Sequence, residues 1–210
     1  MCAEEGGIDV CAPTGLEWVN EPCPKYAECK TCIGDDDPLC EGVSARCAGP
    51  CDPDMKPASS EGCSFVATRL LFVRPGHAMP HSLFVGNNDT EGRDATVDFI
   101  GIEEGTRDEV ILETEVLAPG EVHEFILEHP PIMTGSSLLR TGGIYRIKSD
   151  LPVSAVQMSP HPPANRLPDS SLLLPEEAER TQFVVPGAPG KGLAGAPDPW
   201  SGYATIIALH

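Results

Sequence analysis

Glu109-Val110-Ile111-Leu112-Glu113-Thr114-Glu115-Val116-Leu117 is the stretch on which the fold turns. Val110, Leu112, Thr114 and Val116 fall on one parity and Glu109, Glu113 and Glu115 on the other, and a period of two marks an extended strand whose side chains alternate between faces. The expectation is a strand with its glutamates turned to water. Tyr145 and Ile147 alternate with Arg146 and Lys148 in the same way. Working outward from 109–117, short β-branched-rich runs predict further strands over 65–73, 82–85, 96–102, 122–128, 144–148, 153–158, 183–185 and 203–209. Residues that tolerate chain reversal stand between them, at Asn87-Asn88-Asp89, Ala118-Pro119-Gly120 and Thr141-Gly142-Gly143. Between Phe99 and Ile100 the apolar phase slips beside Gly101, which predicts a β-bulge. A single helical turn is expected over 175–180, where Pro175 suits the first position and Glu176 and Glu177 suit the positive end of the dipole. The fold class expected is all-β, an antiparallel β-sandwich.

Upstream of residue 64 the texture changes. All nine cysteines stand there, interleaved with Gly, Pro and Asp around Trp18. So few large apolar residues cannot make a core, and the segment needs cross-links instead. Three stretches are expected: a loop-dominated, disulfide-rich module over 1–51, a linker over 52–61 containing Pro53, Pro57, Ser59 and Ser60, and the sandwich over 62–210. Setting Cys2 apart leaves Cys11, Cys23, Cys29, Cys32, Cys40, Cys47, Cys51 and Cys63 as disulfide candidates, whose pairing the sequence leaves open. Disulfide-dense modules persist outside the cytosol, yet no secretory hydrophobic region opens the chain. A mis-assigned start or a fragment would resolve this, with Cys2 as the candidate lipidation site of a bacterial lipoprotein whose signal lies upstream.

The 210 residues carry a formal net charge of -18, and the few Lys and Arg are scattered. Such a surface repels nucleic acid and anionic lipid, which demand clustered cations. Divalent cations, basic protein patches and neutral glycans remain as partners. No apolar run approaches the roughly 18 residues of a membrane helix, so no transmembrane segment is expected.

Cys29 and Cys32 form a Cys-x-x-Cys pair that can bind zinc, but no second such pair and no histidine lies in the module, so disulfides are expected. A redox-active pair would want a βαβ context, which is lacking. Asp35, Asp36, Asp37 and Glu41 are the densest carboxylate cluster, without the spacing of an EF-hand, and read as a solvated loop. His77 and His81 stand among Pro75, Gly76 and Pro80, which deny them a helix, so both read as loop histidines. Ser136, Ser137, Ser170 and Ser171 can be set against His123, His129, His161 and Asp169, yet no Gly-x-Ser-x-Gly elbow surrounds any of them. Glu113 and Glu115 share a strand face, whereas glycoside chemistry needs carboxylates facing each other across a cleft. Asn88-Asp89-Thr90 fits the N-glycosylation sequon and also reads as a hairpin turn. Trp18, Trp200 and Tyr203 suit sugar stacking or loop anchoring. No catalytic residue, metal site or cofactor is expected, and no enzyme.

Three blocks carry a family resemblance: GCSFVATRL from Gly62, GGIYRIKSDLPVSAVQMSP from Gly142, and SSLLLPEE from Ser170 followed by FVVPG from Phe183. In this order they resemble the amino-terminal domain of the IgG-Fc-binding protein family as found in bacterial surface proteins, and the cysteine module is similar to short Cys repeats that precede it. The resemblance implies an extracellular β-sandwich for binding or adhesion, with no catalytic residues to carry over. The chain departs from the family at Thr68-Arg69-Leu70-Leu71, where an acidic stretch is usual, and it ends directly after a predicted strand, as a truncated or split copy would. The function expected is a non-enzymatic, secreted or surface-tethered module that contacts a protein or glycoprotein through loops at one end of the sandwich. The rival readings are a carbohydrate-binding accessory module with an exposed aromatic strip, and a structural envelope protein or truncated gene remnant.

Overall fold

The computed structural model describes residues 7–11, 18–23, 25–32, 45–52, 60–68, 80–127, 139, 141–159, 169–178 and 207. Within them the strands are β1 (Ile8–Cys11), β2 (Trp18–Glu21), β3 (Glu28–Thr31), β4 (Ala45–Ala48), β5 (Glu61–Thr68), β6 (His81–Gly86), β7 (Ala95–Ile102), β8 (Glu109–Leu117), β9 (Val122–Leu127), β10 (Ile144–Ser159) and β11 (Asp169–Leu172). A 3-10 turn spans Glu176–Ala178, closed by the Ala178 amide donating to the Pro175 carbonyl at 2.9 Å, where the helical turn is expected. The fold is all-β and antiparallel. The expected strands over 183–185 and 203–209 lie outside the described residues, apart from residue 207.

The two strands expected over 144–148 and 153–158 are one, β10, and it is the spine of a seven-stranded sheet. Ser154 pairs with Glu61 of β5 and with Gly86 of β6, so those two strands flank opposite edges of the spine. One edge carries β5 and then β11; the other carries β7 over Ile144 to Ser149 and then β6 over Ser154 to Met158. Outside these, β8 pairs with β7 and β9 with β6. Along β10 the register with β5 shifts between Lys148 and Val153, opposite the place where β6 gives way to β7 and β8 to β9. The register shift and the change of partners along β10 thus coincide at a corner, and the sheet curls into a half-barrel.

The core fills the inside of the curl. Phe99 of β7 stacks on Phe125 of β9 with centroids 5.0 Å apart and on Tyr145 of β10 at 5.2 Å, so aromatic packing joins the two arms. Phe65, Leu83, Val85, Val97, Ile147 and Val153 are fully buried around them. Each contributes about 1.5–3 kcal/mol by leaving water.

Strand β8 forms over the residues that predict it, but with its faces exchanged. Val110, Leu112 and Val116 are 57%, 55% and 58% exposed, whereas Glu113 and Glu115 are half-buried on the core side beside buried Leu117. The cause is register: Leu117, Glu115 and Glu113 stand opposite Ala95, Val97 and Phe99, and partners across an antiparallel pair share a face. Those three β7 residues are core. The expected bulge is present between Phe99 and Ile100, and its extra residue is Leu112 of β8. Gly101 makes room for it, since a β-carbon there would sit 2.9 Å from Leu112 Cδ1.

Some regular structure also exists where little is expected, since β1–β2 and β3–β4 form two short antiparallel ribbons in the cysteine-rich segment. Cys23–Cys47 and Cys51–Cys63 are disulfides, and Cys29 and Cys32 are disulfide-bonded too, so the Cys-x-x-Cys pair holds no free thiolate for a metal. The second of these bridges spans the stretch expected as a linker and ties the ribbons to β5. The turn at Lys25 and Tyr26 rests on the sheet: Tyr26 packs against the core, and its hydroxyl donates to the Asp94 carbonyl at 2.9 Å.

Candidate functional site

The corner is built around Asn87, a residue expected in a turn and found with 0% of its surface exposed. Its side-chain Nδ2 donates to the carbonyls of Arg93 and Leu117, each at 2.9 Å, and its Oδ1 accepts from the Asp89 amide at 2.9 Å. Its backbone amide donates to Glu121 O at 3.0 Å, and its carbonyl accepts from Gly120 N at 2.7 Å. Side chain and backbone of one residue therefore join the loop between β6 and β7 to the end of β8 and the loop between β8 and β9. Leaving any of these buried groups unpaired would cost about 1–3 kcal/mol, so the two loops hold each other's shape.

Asp89 organises the outer part of the same loop. Its carboxylate accepts from the amides of Glu91 and Arg93, each at 2.9 Å, and from the Arg93 guanidinium at 2.6 and 3.1 Å. The guanidinium, with the backbone donors behind it, pushes its carboxyl down to about 2. Arg93 in turn lies 5.7 Å from the Tyr26 ring centre. Lys25 Nζ donates to the Asp94 carbonyl at 3.2 Å and pairs with Asp150 at 3.4 Å, while Asp150 also accepts from the Thr96 amide at 2.7 Å. The disulfide sulfur of Cys51 lies 3.3 Å from the Ser149 carbonyl oxygen, at the bend of β10. Ribbon module and sheet thus meet at the corner. The rim that faces outward is acidic and polar: Asn88, Thr90, Glu91, Asp94 and Glu121 are exposed. Asn88 of the sequon lies on this rim, its Nδ2 donating to Glu61 Oε1 at 3.0 Å and Ser154 Oγ at 3.1 Å.

A second cluster sits on the core side of the sheet. Glu113 and Glu115 project from β8, and His123 of β9 brings Nε2 to 3.2 Å from Glu113 Oε1. The three ligand atoms all lie within 4.8 Å of one another, and the His123 ring rests on Phe125 with centroids 4.7 Å apart. The expectation of a purely wet glutamate face is corrected by the inverted register described above.

His81, expected in a loop, is the first residue of β6 and 1% exposed. It shares a strand parity with Leu83 and Val85 and stands opposite Leu127, all of them core, and burial pushes its pKa down. Ser170 and Ser171 are exposed on β11. Cys11 and Trp18 stand on β1 and β2, and Asp169 on β11. Cys2, Asp35, Asp36, Asp37, Cys40, Glu41, His77, His129, Ser136, Ser137, His161, Trp200 and Tyr203 lie outside the described residues. Asn87 and Tyr26 have no one-dimensional signature. The nearest signal is the Asn87-Asn88-Asp89 run, which marks a turn without telling which residue is buried.

No family model matches the chain, and no curated protein matches it. Among solved structures, the crystal structure of Thermotoga maritima 1070 aligns over 56% of this chain and 97% of that one, at 11% identity and a TM-score of 0.35. Among the described residues, no helix is long and apolar enough to cross a membrane.

Proposed function

We propose that the chain is a non-enzymatic extracellular or cell-surface binding module, similar in role to the IgG-Fc-binding amino-terminal domains it resembles, with the two arms of its curled sheet serving as the layers of a β-sandwich. The corner rim is its contact surface, and the partner is a protein or glycoprotein presenting a basic patch to its acidic loops. The supporting observation is the buried Asn87 knot, because loops already fixed in one shape lose little entropy on binding. The disulfides support an oxidising address, and Cys2 a lipid tether.

The test is binding of the oxidised full chain to immobilised extracellular glycoproteins, against Thr90→Lys with Glu91→Lys on the rim and Ser170→Ala on β11. The rim variant should lose binding and the β11 variant should keep it. Equal binding by all three proteins would remove the corner as the contact surface.

A further inference from the structure

We propose that Glu113, Glu115 and His123 form a site for one divalent transition-metal ion, with Zn2+ as the probe, on the core side of the half-barrel. The three side chains come from two strands that the corner brings together, and their ligand atoms lie within 4.8 Å of one another. Residues two apart in a strand share a face, so Glu113 and Glu115 are bound to aim the same way. The imidazole is set by packing on Phe125, with Nε2 turned to the carboxylates.

Charge balance favours an ion here. Two carboxylates are held half-buried beside an aromatic core, with the His123 imidazole as their close neighbour from β9. Cations elsewhere in the sheet and its loops serve other acids: Arg93 is engaged with Asp89, and Arg146 and Lys148 with Glu109. A divalent ion neutralises both glutamates and takes the imidazole nitrogen as a third ligand. One nitrogen with two carboxylates is a set for zinc and its first-row neighbours, while calcium and magnesium take oxygen ligands. Three protein ligands leave coordination positions open to water or to a donor group from outside. This site is separate from the corner rim, and its failure would leave the proposed function standing.

The untagged, oxidised full chain, stripped with chelator, is titrated with ZnCl2 by calorimetry and with Co2+ by visible absorption. The parent should bind one equivalent, and Zn2+ should raise its melting temperature. His123→Gln and Glu115→Gln should each weaken binding about tenfold or more, and His123→Gln should alter the Co2+ spectrum as a nitrogen ligand is lost. Metal-free melting of both variants, whose side chains are partly exposed, should match the parent and so exclude misfolding. Absence of saturable binding by the parent, or parent-like affinity in both variants, overturns the site.

Discussion

In ribbons β1–β2 and β3–β4 each strand is four residues long, and in β3–β4 Ala45 is the buried side chain; the curled sheet, by contrast, closes over Phe65, Phe99, Phe125, Tyr145 and a shell of Leu, Ile and Val. Both regions use antiparallel pairing, so pairing alone does not separate them. What separates them is the source of free energy. A two-stranded ribbon of this length is marginal in water, and disulfides make up the deficit by restricting the unfolded chain. The sheet draws on apolar burial and on the Asn87 knot. One chain here has two stabilities, each answering to its own perturbation.

Reduction separates the two regions most directly and carries the largest effect. Cys23–Cys47 closes 24 residues and Cys51–Cys63 closes 12, and loop-closure entropy assigns each about 3 kcal/mol. Under reductant, amide protection in β1 to β4 should vanish while β7 and β10 stay protected. Concerted loss of protection in ribbons and core would mean a single cooperative unit and would end the distinction.

Next in size is Asn87→Ala, which leaves the sheet's disulfides intact and removes its polar keystone. Two carbonyls and one amide lose their partners, at a cost of about 3–5 kcal/mol by urea denaturation. A loss under about 1 kcal/mol would show that the corner holds without it. Gly142→Ala should cost somewhat less, about 3 kcal/mol. Gly142 has φ of 65°, and a β-carbon there would meet the Glu103 carbonyl and sit 2.7 Å from that of Thr106. Unchanged stability in this variant would mean that the turn into β10 relaxes freely.

The residues differ in how much of this their sequence discloses. Strands β6 to β9 and the two halves of β10 are legible because alternation and turn residues are local properties, and even the bulge shows as adjacent Phe99 and Ile100; that the halves join into one strand is not legible across Ser149-Asp150-Leu151-Pro152. The face of β8 is not legible, because its own alternation is outvoted by the register that Ala95, Val97 and Phe99 impose from β7. Asn87 carries the same identity as exposed Asn88; burial of one and not the other is decided by Leu117 and Glu121, about 30 residues away in the chain. The glutamates of the second cluster were visible as a pair, but His123 joins them through the corner, a tertiary fact. Cysteine pairing is hidden for the same reason.

The smallest effect expected is a pH dependence that separates core from rim. His81 is buried with Nδ1 lacking a hydrogen-bond partner among the described residues, and burial holds its folded pKa below the ordinary 6.5. Above that value the ring is neutral in both states and its contribution is complete. As pH falls through 6.5 the unfolded chain takes up a proton that the folded one refuses, so stability declines until the lowered folded pKa is reached. Asp89 acts in a lower window, because its carboxyl is depressed from 3.8 to about 2; its stabilisation is present above 3.8 and is lost as pH falls through the folded value. His81→Leu should therefore flatten the parent's decline as pH falls below about 6.5, and Asp89→Asn only the limb below about pH 4. If His81→Leu keeps the full slope, the decline does not arise at His81 and the core is pH-insensitive at this position.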